Sequence, residues 1–485
     1  GLMRLRTILY LLGLLTMVLS VSMLPPIAIG WWYEDGETAP FVEAFATMLG
    51  MGFALWLPTR GRTPEVHTTD GFLVVTVFWV ALGLLGAIPL MLSDAPHMRL
   101  VDAFFEAVSG LTTTGASVLP TVETLPHSIN FYRMQLCFVG GMGVVVLAVA
   151  LFPLLGIGGM QLYRAETPGP MKEEKLTPRI SETAKNLWLV YLGLNVACAL
   201  AFWIAGMDPF DALTHAFSTL SLGGFSTHDA SIGHFHSAPV EVVAGVFTLI
   251  AGVNFALHFL AWRSLSVRVY LGDPEFRFYA GVMGILIALT VAVLYGSGTF
   301  PFWDALYHGL FQAPSIIADN GLVTAGYPGE WPIFLVLLLL LGSFFGGCAG
   351  STGGAIKAIR FLLLHRQGDR ELKLLLHPRA SIAIKLGARV IEQRVMTAVW
   401  GFFFLYILAF CLFSLALVAT GVDGLSAFSS VAACLNNMGV GYGETASNFA
   451  TLNDAAKWLL SAAMLVGRLE VFPVLLLFHP GFWHQ

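Results

Sequence analysis

Apolar runs alternate with short polar stretches along this whole chain, and most runs exceed the roughly 20 residues a helix needs to cross hydrocarbon. Ten spans are expected. They run from about Thr7 to Ile29, Phe41 to Leu57, Gly71 to Leu92, Phe131 to Leu155, Asn186 to Ala205, Pro239 to Leu260, Phe278 to Tyr295, Trp331 to Phe345, Val395 to Thr420 and Ala455 to Phe478. A membrane β-barrel would instead alternate in segments of about 10 residues, which is not the pattern here. Between spans, one motif recurs four times. A short amphipathic half-helix starts at Asp102-Ala103-Phe104, Asp211-Ala212-Leu213, Asp304-Ala305-Leu306 or Asp423-Gly424-Leu425, a glycine-bearing loop follows, and then a long span.

A helix, half-helix, loop, helix unit repeated about every 100 residues fixes an architecture. The fold class expected is an all-α polytopic membrane protein with four helix–pore-loop–helix repeats around a pseudo-fourfold pore, plus two N-terminal transmembrane helices. The units are an N-terminal two-helix segment over 3–70, then repeats over 71–165, 186–268, 278–364 and 395–485.

Composition agrees: apolar residues make up 56% and charged residues 11% of 485, about half the charge that a soluble surface needs. The first apolar run is too long for a signal peptide and ends in Trp31-Trp32-Tyr33, an interfacial aromatic belt. With the N-terminus in the cytoplasm and each span crossing once, all but Arg99, Arg133, Lys457 and Arg468 of the 25 Lys and Arg fall on the cytoplasmic side. That asymmetry is the positive-inside rule. It puts the four loops together on the extracytoplasmic side and the C-terminus in the cytoplasm. The five cysteines lie in or beside apolar segments without a C-x-x-C pair and read as buried apolar residues.

The four loops are Thr112-Thr113-Thr114-Gly115-Ala116-Ser117, Ser221-Leu222-Gly223-Gly224-Phe225-Ser226, Ala318-Asp319-Asn320-Gly321-Leu322 and Leu435-Asn436-Asn437-Met438-Gly439-Val440. Irregular backbone at membrane depth is tolerated only where protein buries it or water reaches it. Each Asp is expected to cap its half-helix. The four C-terminal ends, each carrying a charge of about -0.5, would favour a cation on a shared axis. Gly115, Gly224, Gly321 and Gly439 align, and glycine allows backbone conformations that turn carbonyls inward. Ligands to a monovalent cation are therefore expected from the carbonyls of Thr113, Thr114, Leu222, Gly223, Asp319, Asn320, Asn437 and Met438. The loops bring one acid, Asp319, so an acidic ring for divalent ions is not expected. Side chains at equivalent positions differ, so a departure from a symmetric fourfold filter is expected.

Two features lie below the loops. Gly346-Gly347-Cys348-Ala349-Gly350-Ser351-Thr352-Gly353-Gly354 interrupts the eighth span. Five glycines, at roughly 1 kcal/mol each, favour an unwound mobile loop that gates the pore over close helix packing through small residues. Gly346, Gly347, Gly350, Gly353 and Gly354 are its expected gate positions, with Lys357 and Arg360 at the cytoplasmic exit. Arg468 is a charge within the tenth span, a functional position by default; Glu470, two residues on, does not share its helical face. His215 and His308, four residues after their Asp, are expected to hydrogen-bond their pore helices. No nucleophile–base pair, Walker A or H-E-x-x-H sequence is present. No enzyme activity, organic cofactor or nucleic-acid partner is expected.

The first and fourth loops, the latter continuing through Gly441-Tyr442-Gly443, resemble those of the Trk/Ktr/HKT superfamily of potassium transporters, and the TrkH type in particular. The resemblance covers essentially the whole chain. It implies K+ uptake across the bacterial inner membrane, a homodimer, and a cytoplasmic nucleotide-binding TrkA-type ring as regulator. It also implies a gating loop at 346–354 and a pore arginine at Arg468. A secondary transporter coupling K+ to H+ or Na+ is the alternative, since broken helices also suit transporters.

Overall fold

A computed structural model describes residues 2–61, 68–146, 176–470 and 479–483. The ends of the first and fourth repeats (147–165 and 471–478), with Arg62, Arg164, Lys172 and Lys175, lie outside the described residues. Two N-terminal helices, Leu2–Val21 continuing as Leu24–Tyr33, and Thr38–Trp56, form an antiparallel pair. They cross at Gly13 and Gly52, where a Cβ on either would stand 2.8 Å from the other's carbonyl oxygen. Without a hydrophobic drive inside lipid, such backbone approach is what holds two helices together.

Four repeats follow. Their outer helices are Thr68–Leu92, Leu176–Ile204, Pro274–Gly296 and Gln393–Ala419. Each packs on its own pore helix: Leu100–Leu111, Pro209–Leu220, Phe302–Ile317 and Gly424–Leu435. The C-terminal halves of the pore helices are buried, whereas outer helices show lipid-facing apolar residues such as Leu189, Ile285 and Phe404. Trp31 and Trp32 are exposed at the end of the first span, as an interfacial belt requires.

Among the described residues six helices are long and apolar enough to span a membrane, or seven if one bent pair counts as a span. The ten expected spans exceed this because the inner helices after the loops are not simple. The fourth span is His127–Val146 as far as it is described. The sixth breaks into Ala238–Ala251 and Phe255–Ser264, bent by 95°. The eighth is Ile333–Gly342, an irregular stretch from Ser343, and Ala358–Leu376. The tenth is helical over Asp454–Arg468 and then turns at Leu469 and Glu470. The break at Gly252-Val253-Asn254 was not expected from hydropathy, which stays high across it.

The expectation that all four Asp cap their half-helices needs correction. Asp423 does cap, accepting from the Ser426 N–H at 3.2 Å, and bonding to Ser426 holds its carboxyl below the usual carboxylate range. Asp102, Asp211 and Asp304 lie in the first turn, because their helices begin upstream at Leu100, Pro209 and Phe302. There a carboxylate still complements the helix N-terminus, and it is free to bond elsewhere. Asp102 accepts from Lys457 Nζ at 2.7 Å, joining the first pore helix to the fourth repeat.

Candidate functional site: four re-entrant loops and the segment beneath them

Each pore helix ends in the same backbone turn. After the last helical residue comes one in ordinary conformation, and then one with positive φ: Thr113 at 54°, Leu222 at 54°, Asp319 at 68° and Asn437 at 57°. Two residues later stands a glycine, with φ of 86° at Gly115, 83° at Gly224, 87° at Gly321 and 92° at Gly439. The first N–H of each turn reaches back to its helix: Thr113 to Gly110 O at 3.0 Å, Leu222 to Thr219 O at 3.1 Å, Asp319 to Ile316 O at 3.2 Å and Asn437 to Cys434 O at 3.2 Å. The next N–H does likewise, from Thr114 to Ser109 O at 2.8 Å, Gly223 to Ser218 O at 2.8 Å, Asn320 to Ser315 O at 2.7 Å and Met438 to Ala433 O at 2.7 Å. This is a Schellman-type helix end, made without glycine at its left-handed position. Four non-glycine residues hold that conformation, two of them Thr and Leu, so the surroundings impose it.

The glycines show how the loops meet. A Cβ on Gly115 would overlap the carbonyl oxygen of Gly223; on Gly224, that of Asn320; on Gly321, that of Met438; on Gly439, that of Thr114. The sequence of contacts closes on itself, loop one to two to three to four and back to one. The expected carbonyl donors Thr114, Gly223, Asn320 and Met438 thus occupy one equivalent place in a closed ring. Unequal side chains have not altered the backbone repeat.

The side-chain braces behind the ring differ. Glu106 accepts from Ser117 Oγ at 2.9 Å and Val118 N at 2.9 Å, and pairs with buried Arg133 at 3.0 Å. At the same place in the second repeat His215 bonds Ser226 Oγ at 2.7 Å and the Asp211 carbonyl oxygen at 2.8 Å. In the third, Gln312 accepts from Thr324 N at 2.9 Å, while His308 bonds Glu241 at 2.8 Å. In the fourth, Ser429 Oγ accepts from Tyr442 N at 2.9 Å. His215 bonds its own pore helix, as expected, whereas His308 bonds Glu241 of the sixth span instead; the Glu106, Gln312 and Ser429 braces were missed, because only their contacts distinguish them from core residues.

The interrupted eighth span passes under this ring. Residues 343–357 touch the inner ends of the second, third and fourth pore loops directly and reach the first through Arg468. Thr352 Oγ1 donates to Leu220 O at 2.9 Å, and Gly353 and Gly354 leave no free space before Ala318 O and Asn436 O. Arg468 completes the set from the first loop. Its guanidinium donates to Thr112 O at 2.8 Å, Thr113 Oγ1 at 2.5 Å, Gly353 O at 3.2 Å and Thr352 O at 3.4 Å. The broken sixth span supports the far edge: Cys348 N donates to Gly252 O at 2.7 Å and Phe255 N to Gly350 O at 3.1 Å. Gly346 and Gly350 have positive φ of 63° and 80°, and Gly347 packs 2.8 Å (measured from an added Cβ) from Gly252 O. All five expected gate glycines are therefore brought together with Arg468. Asp319, in the third loop, lies against Gly346, and both its carboxylate oxygens are buried without a hydrogen-bond partner among the described residues.

Lys357 and Arg360 are not at an open exit. Both are buried on Glu470, at 3.1 and 2.9 Å, and Arg360 also lies over the Phe402 ring at 3.8 Å. Glu470 leaves the Arg468 face by turning out of the helix at φ 58°. The sequence spacing excluded an Arg468–Glu470 pair correctly, but the partners at 357 and 360 needed the fold.

A family profile described as "Cation transport protein", TrkH, matches residues 38–484. The chain belongs to the TrkH family. The Trk system potassium uptake protein TrkH of Vibrio parahaemolyticus serotype O3:K6 (strain RIMD 2210633) is 52% identical, with 100% of both chains covered. TrkH of Escherichia coli (strain K12) is 50% identical over 100% of both chains, and TrkG of the same strain is 43% identical over 99% of both. The crystal structure of the potassium transporter TrkH from Vibrio parahaemolyticus superposes with a TM-score of 0.93 at 48% identity, covering 99% of each chain. Membership of the TrkH family makes this a membrane-embedded cation transport protein rather than an enzyme.

Proposed function

We propose that this chain is a K+ uptake protein whose cation passes through the closed ring of four loops. The observation that carries the reading is the interlock of each glycine with the next loop's carbonyl. It packs the carbonyls of Thr114, Gly223, Asn320 and Met438 into one closed ring at the C-terminal ends of four helices, which suits a dehydrated monovalent cation. The potassium uptake function printed for its relatives supports the choice of ion. Residues 346–354 act as the gate, and Arg468, clamped between Thr112 and Gly353, holds it shut while placing positive charge on the cation's path. The Asp319 side chain, without a hydrogen-bond partner among the described residues, lies against the same segment at Gly346. The family's bacterial inner-membrane setting, homodimer and TrkA-type cytoplasmic nucleotide-binding ring fit a gate whose helical continuation, Ala358–Leu376, leads away from the ring.

The test is K+ flux into proteoliposomes holding the purified chain. K+ moving down its own electrochemical gradient, worth about 2.3 kcal/mol per charge per 100 mV, with no response to an imposed H+ or Na+ gradient, is the expected result. Flux that follows an H+ or Na+ gradient would replace it with coupled transport.

A further inference from the structure

We propose that Glu123, His228 and His234 form a binding site for a divalent transition ion of the Zn2+ class, on the face of the ring opposite residues 343–357. The site does not depend on which ion the ring conducts.

The three ligands come from two repeats. Glu123 follows the first re-entrant loop, His228 stands four residues after Gly224, and His234 lies on the short 3-10 turn Ser231–Phe235. Asp229 fastens the two stretches together, accepting from Val122 N and Thr121 Oγ1 at 2.7 Å each. With that lock in place the rings of His228 and His234 stack at 3.6 Å and 4°. Each presents its Nδ1 to the same Glu123 oxygen, at 3.7 Å in both cases. One donor atom from each residue falls within 4.8 Å of the others.

The protonation pattern leaves these atoms free to ligate. His228 Nε2 lies 2.9 Å from Asp211 Oδ2, so it carries the proton and its Nδ1 lone pair faces Glu123. Thr227 Oγ1 holds the other Asp211 oxygen at 2.7 Å. A carboxylate behind a histidine that orients it for a metal is the usual outer-shell arrangement. A nitrogen lone pair facing a carboxylate is repulsive unless a proton or a metal ion lies between, and Zn2+ would take the place of that proton. A tetrahedral Zn2+ with bonds of about 2.0–2.1 Å sets its ligand atoms roughly 3.3 Å apart, against 3.7 Å here from Glu123 to each ring, and the two stacked rings must tilt toward one another to share the ion. Glu123 and His234 are exposed enough to close that gap, and a fourth position stays open to water. Two imidazoles and one carboxylate select Zn2+ and its neighbours over Mg2+ or Ca2+. His215, stacked 6.2 Å beyond His228, is not a ligand, since both its nitrogens are taken by Asp211 O and Ser226.

The experiment uses the tag-free full chain, purified in detergent and stripped with EDTA. Titration with Co2+ should give one equivalent per chain with the visible absorption of a four-coordinate ion, displaced by Zn2+. His234→Ala, at an exposed ring, and Glu123→Gln should each weaken Zn2+ binding at least tenfold while eluting as the native species. Asp211→Asn should weaken it by about 10- to 100-fold. Absence of saturable Co2+ and Zn2+ binding by the native chain would overturn the site, as would native affinity in both His234→Ala and Glu123→Gln.

Discussion

The ring of four loops and the segment beneath it are built on opposite plans. In the ring one backbone turn is made four times from different residues, Thr113, Leu222, Asp319 and Asn437, and each copy is locked by its neighbour. In residues 343–357 a single stretch, without a counterpart under the other loops among the described residues, is held by contacts that each occur once: Arg468, Thr352, Cys348 and the Glu470 cluster. Redundant geometry makes a rigid element whose side chains are free to vary. Single-copy contacts make an element that the loss of a few bonds would free. A conduction site benefits from the first property and a gate from the second.

The comparison breaks most sharply at Glu470. Replacing it by Ala strands Lys357 and Arg360 as buried, uncompensated cations, at a cost of about 3–5 kcal/mol. Glu470→Ala should therefore lower the melting temperature of the purified protein markedly. An unchanged melting temperature would show that the cluster does not anchor the end of the segment. Arg468→Ala comes next. It removes charge-assisted bonds to both the ring and the segment, each contributing about 1.5–3 kcal/mol, and resting K+ flux in liposomes should rise roughly tenfold or more. Unchanged flux would sink Arg468 as the clamp. The smallest effect belongs to Thr352→Val, which deletes one neutral hydrogen bond to Leu220 O, about 0.5–1.5 kcal/mol. Resting flux should rise by a factor of about two to ten, with the ring's ion preference intact.

Much of this was legible in the sequence. Four Asp-started half-helices, four aligned glycines and the charge asymmetry give the repeat architecture, because hydropathy and glycine spacing are local. The glycine-rich interruption at 346–354 is legible for the same reason, since glycine's cost in a helix is local too. What stayed hidden depends on contacts distant in sequence. The break at Gly252 to Asn254 makes room for Cys348 and Gly350, and nothing in the apolar run around it announces a bend. Lys357 and Arg360 read as interfacial cations until the fold brings Glu470 to them from over a hundred residues away. The Asp capping pattern misled at three of four sites, because the upstream residues Leu100, Pro209 and Phe302 extend each helix past its Asp.

A closed ring is tested most directly by the K+ over Na+ permeability ratio in liposomes of four single variants: Gly115→Ser, Gly224→Ser, Gly321→Ser and Gly439→Ser. Each serine side chain would collide with a neighbouring loop's carbonyl oxygen, so all four should lose K+ preference or conduction, whichever repeat is changed. Full native selectivity and flux in any one of them would contradict a ring in which every loop is locked by the next.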